Sequence, residues 1–450
     1  CSGHSLLGNG DLYITGGNDY DCEFQGRADT HTFNPFRTDA PWTRLEDMSV
    51  GRWYPTSLTI GDGRVLILSG LDRTCEVTPV MEMYTPGVGL EVVPEGERFV
   101  SLYPRLHLLT TGKMAHVGPE NVTYTFDPEL RLWQFIDFTN FGWRSQGTSV
   151  MVPGEIDEVM IVGGYTNKHA NGTCERIDFK EGSPQWRPTG SLNFARAHAN
   201  AVILPDRNIM LVGGGTGGFY DDPIFSAEMY DPDTESWTVL PPNQYGRMYH
   251  STAVLLPDGR VLSAGQNSGK SGEWAEIYEP AYLFRGPRPI ITDVPERISY
   301  GKMFSIATPQ AGEITAVVLM GLSTVTHSVN NTQRYVGLNF FTAVDDHELI
   351  ALGPPNGNHA PVGFYMLFIL NASEVPSNAK IVRVGPPGVG DYDGDGDLDL
   401  FDFEKYLECI GGPAGGINPG CDAFDMDDDA DVDFADAGRF FLDFTGSFKR

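Results

Sequence analysis

Apolar positions in the first 285 residues come in short alternating runs rather than at the three-and-four spacing of an amphipathic helix. One run covers Leu12 to Ile14 and closes on Gly16-Gly17; another covers Val65 to Leu68 and closes on Ser69-Gly70. Further copies close at Gly163-Gly164, at Gly213-Gly214 and at Gly265, and a degenerate copy lies between Arg105 and Gly118. A turn precedes each run, often Asp-Gly, as at Asp62-Gly63 and Asp258-Gly259. Apolar runs of four or five residues bounded by turn glycines predict strands. Several units add a downstream strand ending in Tyr and a turn. Ala227-Glu228-Met229-Tyr230-Asp231-Pro232 does so, followed by Trp237, and Ala275 to Pro280 repeats it.

The unit recurs at ~50 residues, the period of kelch-type β-propeller blades, each a small sheet that buries its faces on its neighbours. Six units are visible, and the first opens at Cys1. A propeller closes when its last blade meets its first, so a seventh blade upstream is expected. From Pro287 the Gly-Gly punctuation stops. Runs such as Ala316 to Met320 and Gly363 to Leu370 predict an immunoglobulin-like β-sandwich. The expected fold class is all-β, with a propeller over 1–285, a sandwich over 286–385, a linker at 386–390 and a small helical tail over 391–450.

That tail carries metal-ligand spacing. Asp391, Asp393, Asp395, Asp397, Asp399 and Asp402 set hard oxygen donors around Gly396 in the order of a calcium loop. A second copy uses Asp425, Asp427, Asp429, Asp431, Asp433 and Asp436, with Ala430 where glycine is preferred. The twelfth position is Asp rather than the usual Glu. In this the pair resembles dockerin-type calcium loops, which implies calcium and an anchoring partner.

Composition narrows the function. The net charge is −29, and the last 60 residues hold 17 acids against 4 bases. Such a balance argues against nucleic acid and anionic membrane surfaces as partners. No apolar run is long enough for a transmembrane helix. Cys409 and Cys421 flank a Gly/Pro-rich loop and predict a local disulfide, hence an oxidising, secreted or cell-surface setting. Sequons stand at Asn121, Asn171, Asn330 and Asn371. The chain starts at Cys1 without a signal peptide, so processing or truncation is expected upstream.

Candidate chemistry centres on the doublet Tyr249-His250, a phenol oxygen beside an imidazole nitrogen. Both can serve one ion only at a strand end or bend, because strand neighbours point to opposite faces. His327 sits on a polar turn inside the sandwich region. Around these residues lie Gly51-Arg52-Trp53-Tyr54-Pro55, Arg247-Met248-Tyr249-His250-Ser251, Val325-Thr326-His327-Ser328, Asn330, Gln333-Arg334 and Pro354 to Asn358. With Cys1-Ser2-Gly3-His4 they resemble, in order, the copper radical oxidases of the galactose oxidase and glyoxal oxidase family. The Arg-Trp-Tyr-Pro form is closer to the glyoxal oxidase branch.

The resemblance implies a copper site held by Tyr54, Tyr249, His250 and His327, with Cys1 joined to the Tyr54 ring by a thioether. Catalytic roles then fall to Cys1, Tyr54 and Tyr249, for two-electron oxidation of a primary alcohol or hydrated aldehyde with dioxygen reduced to hydrogen peroxide. Two imidazoles and two phenolates suit Cu(II) with one open position. Galactose oxidase stacks a Trp on the cross-link; the corresponding place here is Asp72, eighteen positions after Tyr54. Asp72 is therefore expected beside the radical and the substrate, with Arg105 as a further substrate contact and Phe219 as a wall. The alternative is a non-catalytic propeller that binds carbohydrate or protein and is tethered by its calcium loops. A structural cell-surface protein whose acidic tail does the work is a second.

Overall fold

The computed structural model describes residues 1–19, 24–266, 270–344, 347–386, 398, 400–413, 415–426 and 429–443. Six antiparallel sheets follow one another within 3–44, 56–92, 106–138, 148–189, 197–242 and 252–278, as blades one to six. Blades one to three have four strands in simple meander order, and blade six has three. The inner strands are the most buried, and in blades two and five every residue of Thr56–Thr59, Val65–Leu68 and Ala197–Ile203 is buried.

A repeated polar clamp holds the blades. The buried Arg52, Arg144, Arg196 and Arg247 each pair with a glutamate on the third strand of the same blade, at 2.7, 2.9, 2.7 and 3.0 Å from Glu82, Glu175, Glu228 and Glu276. Each guanidinium also donates to the carbonyl that ends the second strand, on Ser69, Gly163, Gly213 and Gly265. The glutamates accept N–H groups from the loop just before the arginine, at Ser49, Asn140, Asn193 and Gln244. The paired glycines then join blade to blade. Gly17, Gly164 and Gly214 donate their N–H to the carbonyls of Arg52, Arg196 and Arg247 in the next blade. A Cβ on Gly213 would lie 2.5 Å from the Arg247 carbonyl oxygen, so no other residue fits there.

The sandwich pairs a five-stranded sheet with a three-stranded one. Its long strands, Ile314–Gly321 and Gly363–Asn371, are apolar on both faces. Val317, Leu319, Leu367 and Ile369 fill the sandwich core, while Val318, Met320, Met366 and Phe368 join the propeller core with Val202 and Ile203. That double burial explains runs with no polar alternation. Gln333 closes the contact by exchanging two 3.0 Å hydrogen bonds with the Ile203 backbone, and Arg334 donates to the Leu108 carbonyl. Asn330 is buried at 8% exposure and donates to Gln333, so its sequon offers no glycan site.

In the tail, helices α1 (Leu400–Cys409) and α2 (Phe434–Asp443) pack through Tyr406, Phe424 and Phe440 beside a Cys409–Cys421 disulfide. Asp391, Asp393, Asp395, Asp397, Asp399, Asp427 and Cys22 lie outside the described residues. No helix among the described residues is long and apolar enough to cross a membrane.

Removing one partner of a buried pair strands the other charge. Glu228→Ala should cost about 3–5 kcal/mol in urea unfolding, and the double change Arg196→Met with Glu228→Leu much less. Equal losses would mean that packing, not the stranded charge, sets the cost.

Candidate metal centre

Both rings of Tyr249-His250 can face one point only if the strand breaks, and His250 breaks it with a φ of 67°. The two rings then lie face to face, centroids 3.9 Å apart and planes 28° from parallel. Tyr54 takes the same left-handed step, φ 67°, which turns Trp53 onto the Tyr54 ring at 4.0 Å and 21°. Tyr103, Gln146 and His198 repeat the step with φ values of 50°, 55° and 63°. Such conformations cost non-glycine residues of order 1 kcal/mol and persist where the surroundings over-determine them. Here backbone bonds link them: Tyr54 N–H to the Cys1 carbonyl, Tyr103 N–H to the Tyr54 carbonyl, and His198 N–H to the Gln146 carbonyl, at 3.0, 3.0 and 2.8 Å.

His327 arrives from the sandwich. Val325–Thr326 pairs with Val329–Asn330 around His327 and Ser328, both left-handed, the signature of a two-residue type I′ hairpin. The hairpin packs on the first strands of blades four, five and six. Its tip sets the His327 ring 4.4 Å from His250, 4.8 Å from Tyr54 and 5.1 Å from Tyr249. Nδ1 lies 2.6 Å from the Thr326 hydroxyl, which leaves Nε2 for a ligand. Cys1 Sγ stands 3.9 Å from His250 Nε2 and 4.0 Å from His327 Nε2. The Tyr54 and Tyr249 hydroxyls are in hydrogen-bond contact.

Electrostatics suit a cation. Burial, then the neighbouring His250, pull the His327 imidazole down to about 2, so it stays neutral and able to ligate. Burial pushes the Tyr54 phenol far above its usual range, and the contact with Tyr249 adds to this. The Tyr249 phenol is also raised by burial, against a lowering hydrogen bond from Tyr54. Two imidazoles, two phenols and a thiol on one point fit a borderline metal such as copper, whose charge would release the phenol protons.

The family described as Glyoxal oxidase N-terminus matches residues 1–282, and the Galactose oxidase-like, Early set domain matches 288–384. The chain belongs to the glyoxal and galactose oxidase family of copper oxidoreductases. It is 31% identical to an aldehyde oxidase of Vitis pseudoreticulata over 86% of this chain and 82% of that protein. It is 28% identical to a galactose oxidase of Gibberella zeae over 85% of this chain, spanning 60% of that protein's length. Among solved structures it resembles a fungal alcohol oxidase of the AA5 family in complex with copper, with a TM-score of 0.77 and 25% identity over 86% and 85% of the two chains.

Against that family background, Cys1, Tyr54, Tyr249, His250 and His327 come together, and two other expected residues do not join them. The Asp72 carboxylate accepts from the Thr74 N–H and hydroxyl and from the Glu76 N–H, closing a turn in its own loop. Its carboxylate is therefore engaged within its own turn. Arg105 is buried with its guanidinium on the Gly147 carbonyl, at 3.0 and 2.5 Å, and is a staple between blades rather than a substrate contact. Phe219 is 51% exposed, rests 4.7 Å from the Tyr249 ring and accepts the Tyr249 N–H. Trp53 was not anticipated; the signal was its adjacency to Tyr54, readable only once the left-handed step is known. Phe24 covers its other side at 5.0 Å.

A second group of donors lies in the tail, where oxygens of Asp431, Asp433 and Asp436 fall within 4.8 Å of one another. Asp436 is fully buried and accepts the Met426 and Asp433 N–H groups, and Asp425 accepts those of Asp429 and Ala430. Asp402 is buried at the start of α1.

Burial is the largest cause pulling His4 and His198 to about 4 and His107 to about 3. The folded state binds these protons less readily than the unfolded chain, near 6.5. Stability is therefore intact above that pH and lost as pH falls, by about 1.4 kcal/mol per unit for each such histidine. His107 is buried, with its Nε2 2.8 Å from the Ser149 hydroxyl. His107→Asn should flatten the acid slope of the metal-free protein by one such increment between about pH 6.5 and 4, read by urea unfolding. An unchanged slope would contradict a neutral buried His107.

Proposed function

We propose that the chain is a copper radical oxidase acting on a primary alcohol, or on an aldehyde as its gem-diol, with dioxygen reduced to hydrogen peroxide. The observation that carries this is the convergence of Cys1, Tyr54, Tyr249, His250 and His327, which a binding surface would not need. Tyr54, Tyr249, His250 and His327 would hold the metal. Bound copper supplies Lewis acidity, one of the two electron-accepting equivalents and the route to dioxygen. Tyr54 supplies the other equivalent as a radical, its ring joined to the Cys1 sulfur. Forming that thioether removes the thiol hydrogen and one ring hydrogen, and the two electrons pass to dioxygen. Sulfur substitution spreads the unpaired spin, and the stacked Trp53 shields it.

Tyr249 accepts the substrate hydroxyl proton once its phenol is ionised. The Tyr54 oxygen takes a hydrogen atom from the carbinol carbon, and the remaining electron passes to the copper these residues would hold, so the product is an aldehyde, or a carboxylic acid when the substrate is a gem-diol. Phe219 walls the mouth. The likeness to a protein named as an aldehyde oxidase supports the aldehyde arm. A secreted or cell-surface setting is supported by the Cys409–Cys421 disulfide. The division at 285 and 385, the calcium loops through Asp402 and Asp425 to Asp436, and an anchoring partner for the tail belong to the same reading. Ala430 holds a φ of 69° in the second loop, a conformation that favours glycine there.

The test is mass spectrometry after exposure to Cu(II) and air. The expected result is loss of two hydrogens, a proteolytic peptide pair joining Cys1 to Tyr54, and peroxide release with alcohols or aldehydes. Folded protein with free Cys1 and no bound copper would refute the oxidase and favour the binding propeller. Trp53→Ala should shorten the lifetime of the oxidised tyrosyl signal at least several-fold by paramagnetic resonance while leaving the link intact; an unchanged lifetime would remove Trp53 as the shield.

A further inference from the structure

His198 holds in blade five the place that Tyr54 holds in blade two. It follows the buried arginine of its blade by two residues and takes the same left-handed step, φ 63° against 67°. The backbone thus delivers both side chains to the same end of the propeller. His198 is only 2% exposed; its imidazole interacts with the Gly218 backbone, but its buried Nε2 makes no well-directed hydrogen bond in the protein. Buried polar atoms are almost always partnered, and an exception in a native site calls for a ligand or water.

Aromatic rings fix the imidazole on three sides. Tyr249 lies at 5.5 Å, Phe219 at 5.6 Å and Tyr165 at 5.6 Å. Tyr165 is itself tied by its hydroxyl to the Gly218 carbonyl at 2.6 Å. An immobilised ring with a buried nitrogen beside Tyr249 is a preformed polar contact, and Phe219 and Tyr220 add aromatic rings 4.7 and 6.1 Å from that of Tyr249. Asp72 and Arg105 are engaged elsewhere.

We infer that His198 is a substrate-positioning residue whose Nε2 hydrogen-bonds the second hydroxyl of a hydrated aldehyde held against Tyr249. This rests on the copper oxidase reading. A primary alcohol has one hydroxyl on its reacting carbon, and Tyr249 uses it. A gem-diol has two, and the spare one falls to His198, which biases the site toward aldehyde oxidation.

Two variants separate the hydrogen bond from packing. His198→Phe keeps a ring among Phe219, Tyr165 and Tyr249 but deletes both nitrogens, and His198→Gln keeps a polar tip. Peroxide release gives kcat and KM for a small, largely hydrated aldehyde and for the primary alcohol of the same carbon skeleton. A readout free of turnover is the binding of trifluoroacetone hydrate, a gem-diol with no hydrogen on its diol carbon, followed by the copper(II) paramagnetic resonance signal. In His198→Phe the aldehyde KM should rise about tenfold more than the alcohol KM, and trifluoroacetone hydrate should bind about tenfold more weakly. His198→Gln should recover most of both. Equal losses on the two substrates, or unchanged gem-diol binding in His198→Phe, would overturn the assignment while the oxidase reading stands. Wild-type protein without the Cys1–Tyr54 link and without turnover of either substrate would overturn that reading, and the role of His198 with it.

Discussion

Everything at the centre of this protein hangs on an arginine buried at the entrance to a blade's inner strand. Its guanidinium grips a glutamate two strands away and the carbonyl that ends the middle strand, while its own carbonyl is capped, at three junctions, by a glycine of the preceding blade. One residue thus ties its blade internally and to its neighbour. A buried ion pair contributes little net stability compared with apolar packing, but breaking half of it is costly, so the geometry is enforced. Chain following the arginine starts from a fixed point and direction.

That rigidity makes the left-handed steps at Tyr54, His198 and His250 affordable. In an ordinary strand, consecutive rings diverge. With φ near 65° they turn the same way, which sets Trp53 on Tyr54 and Tyr249 on His250. The same device serves three arrangements: a stacked Trp53–Tyr54 pair, a stacked Tyr249–His250 pair, and a His198 imidazole set beside Tyr249.

The fourth residue of the cluster needs a second domain. His327 rides on a tight hairpin whose base is held by Gln333 on the Ile203 backbone, so docking of the sandwich and placement of the imidazole are one event. The long sandwich strands are apolar on both faces for the same reason, one face for their own core and one for the propeller. A shift between the domains would therefore move His327 away from Tyr54, Tyr249 and His250.

Strand periodicity, the fifty-residue unit, the change of pattern after Pro287 and the Cys409–Cys421 pairing were legible in the chain, because each is a local matter of spacing; Tyr54, Tyr249, His250 and His327 were singled out by the resemblance of their motifs to a family, and the structure brings them together. For Asp72 and Arg105, position alone did not reveal what the structure shows. Both carry polar groups able to bind a substrate, but their hydrogen bonds go to Thr74 and Glu76 and to the Gly147 carbonyl. Trp53 and His198 stayed hidden for the converse reason: nothing in their residue type marks them, and only the backbone step beside the first and the buried Nε2 of the second give them roles. Residue chemistry and period are written locally, so the sequence by itself determined what could bind a metal and which segments would be strands. Which buried group is already satisfied, and which still faces the site, depends on carbonyls and rings brought up from other blades, and that only the tertiary structure decided.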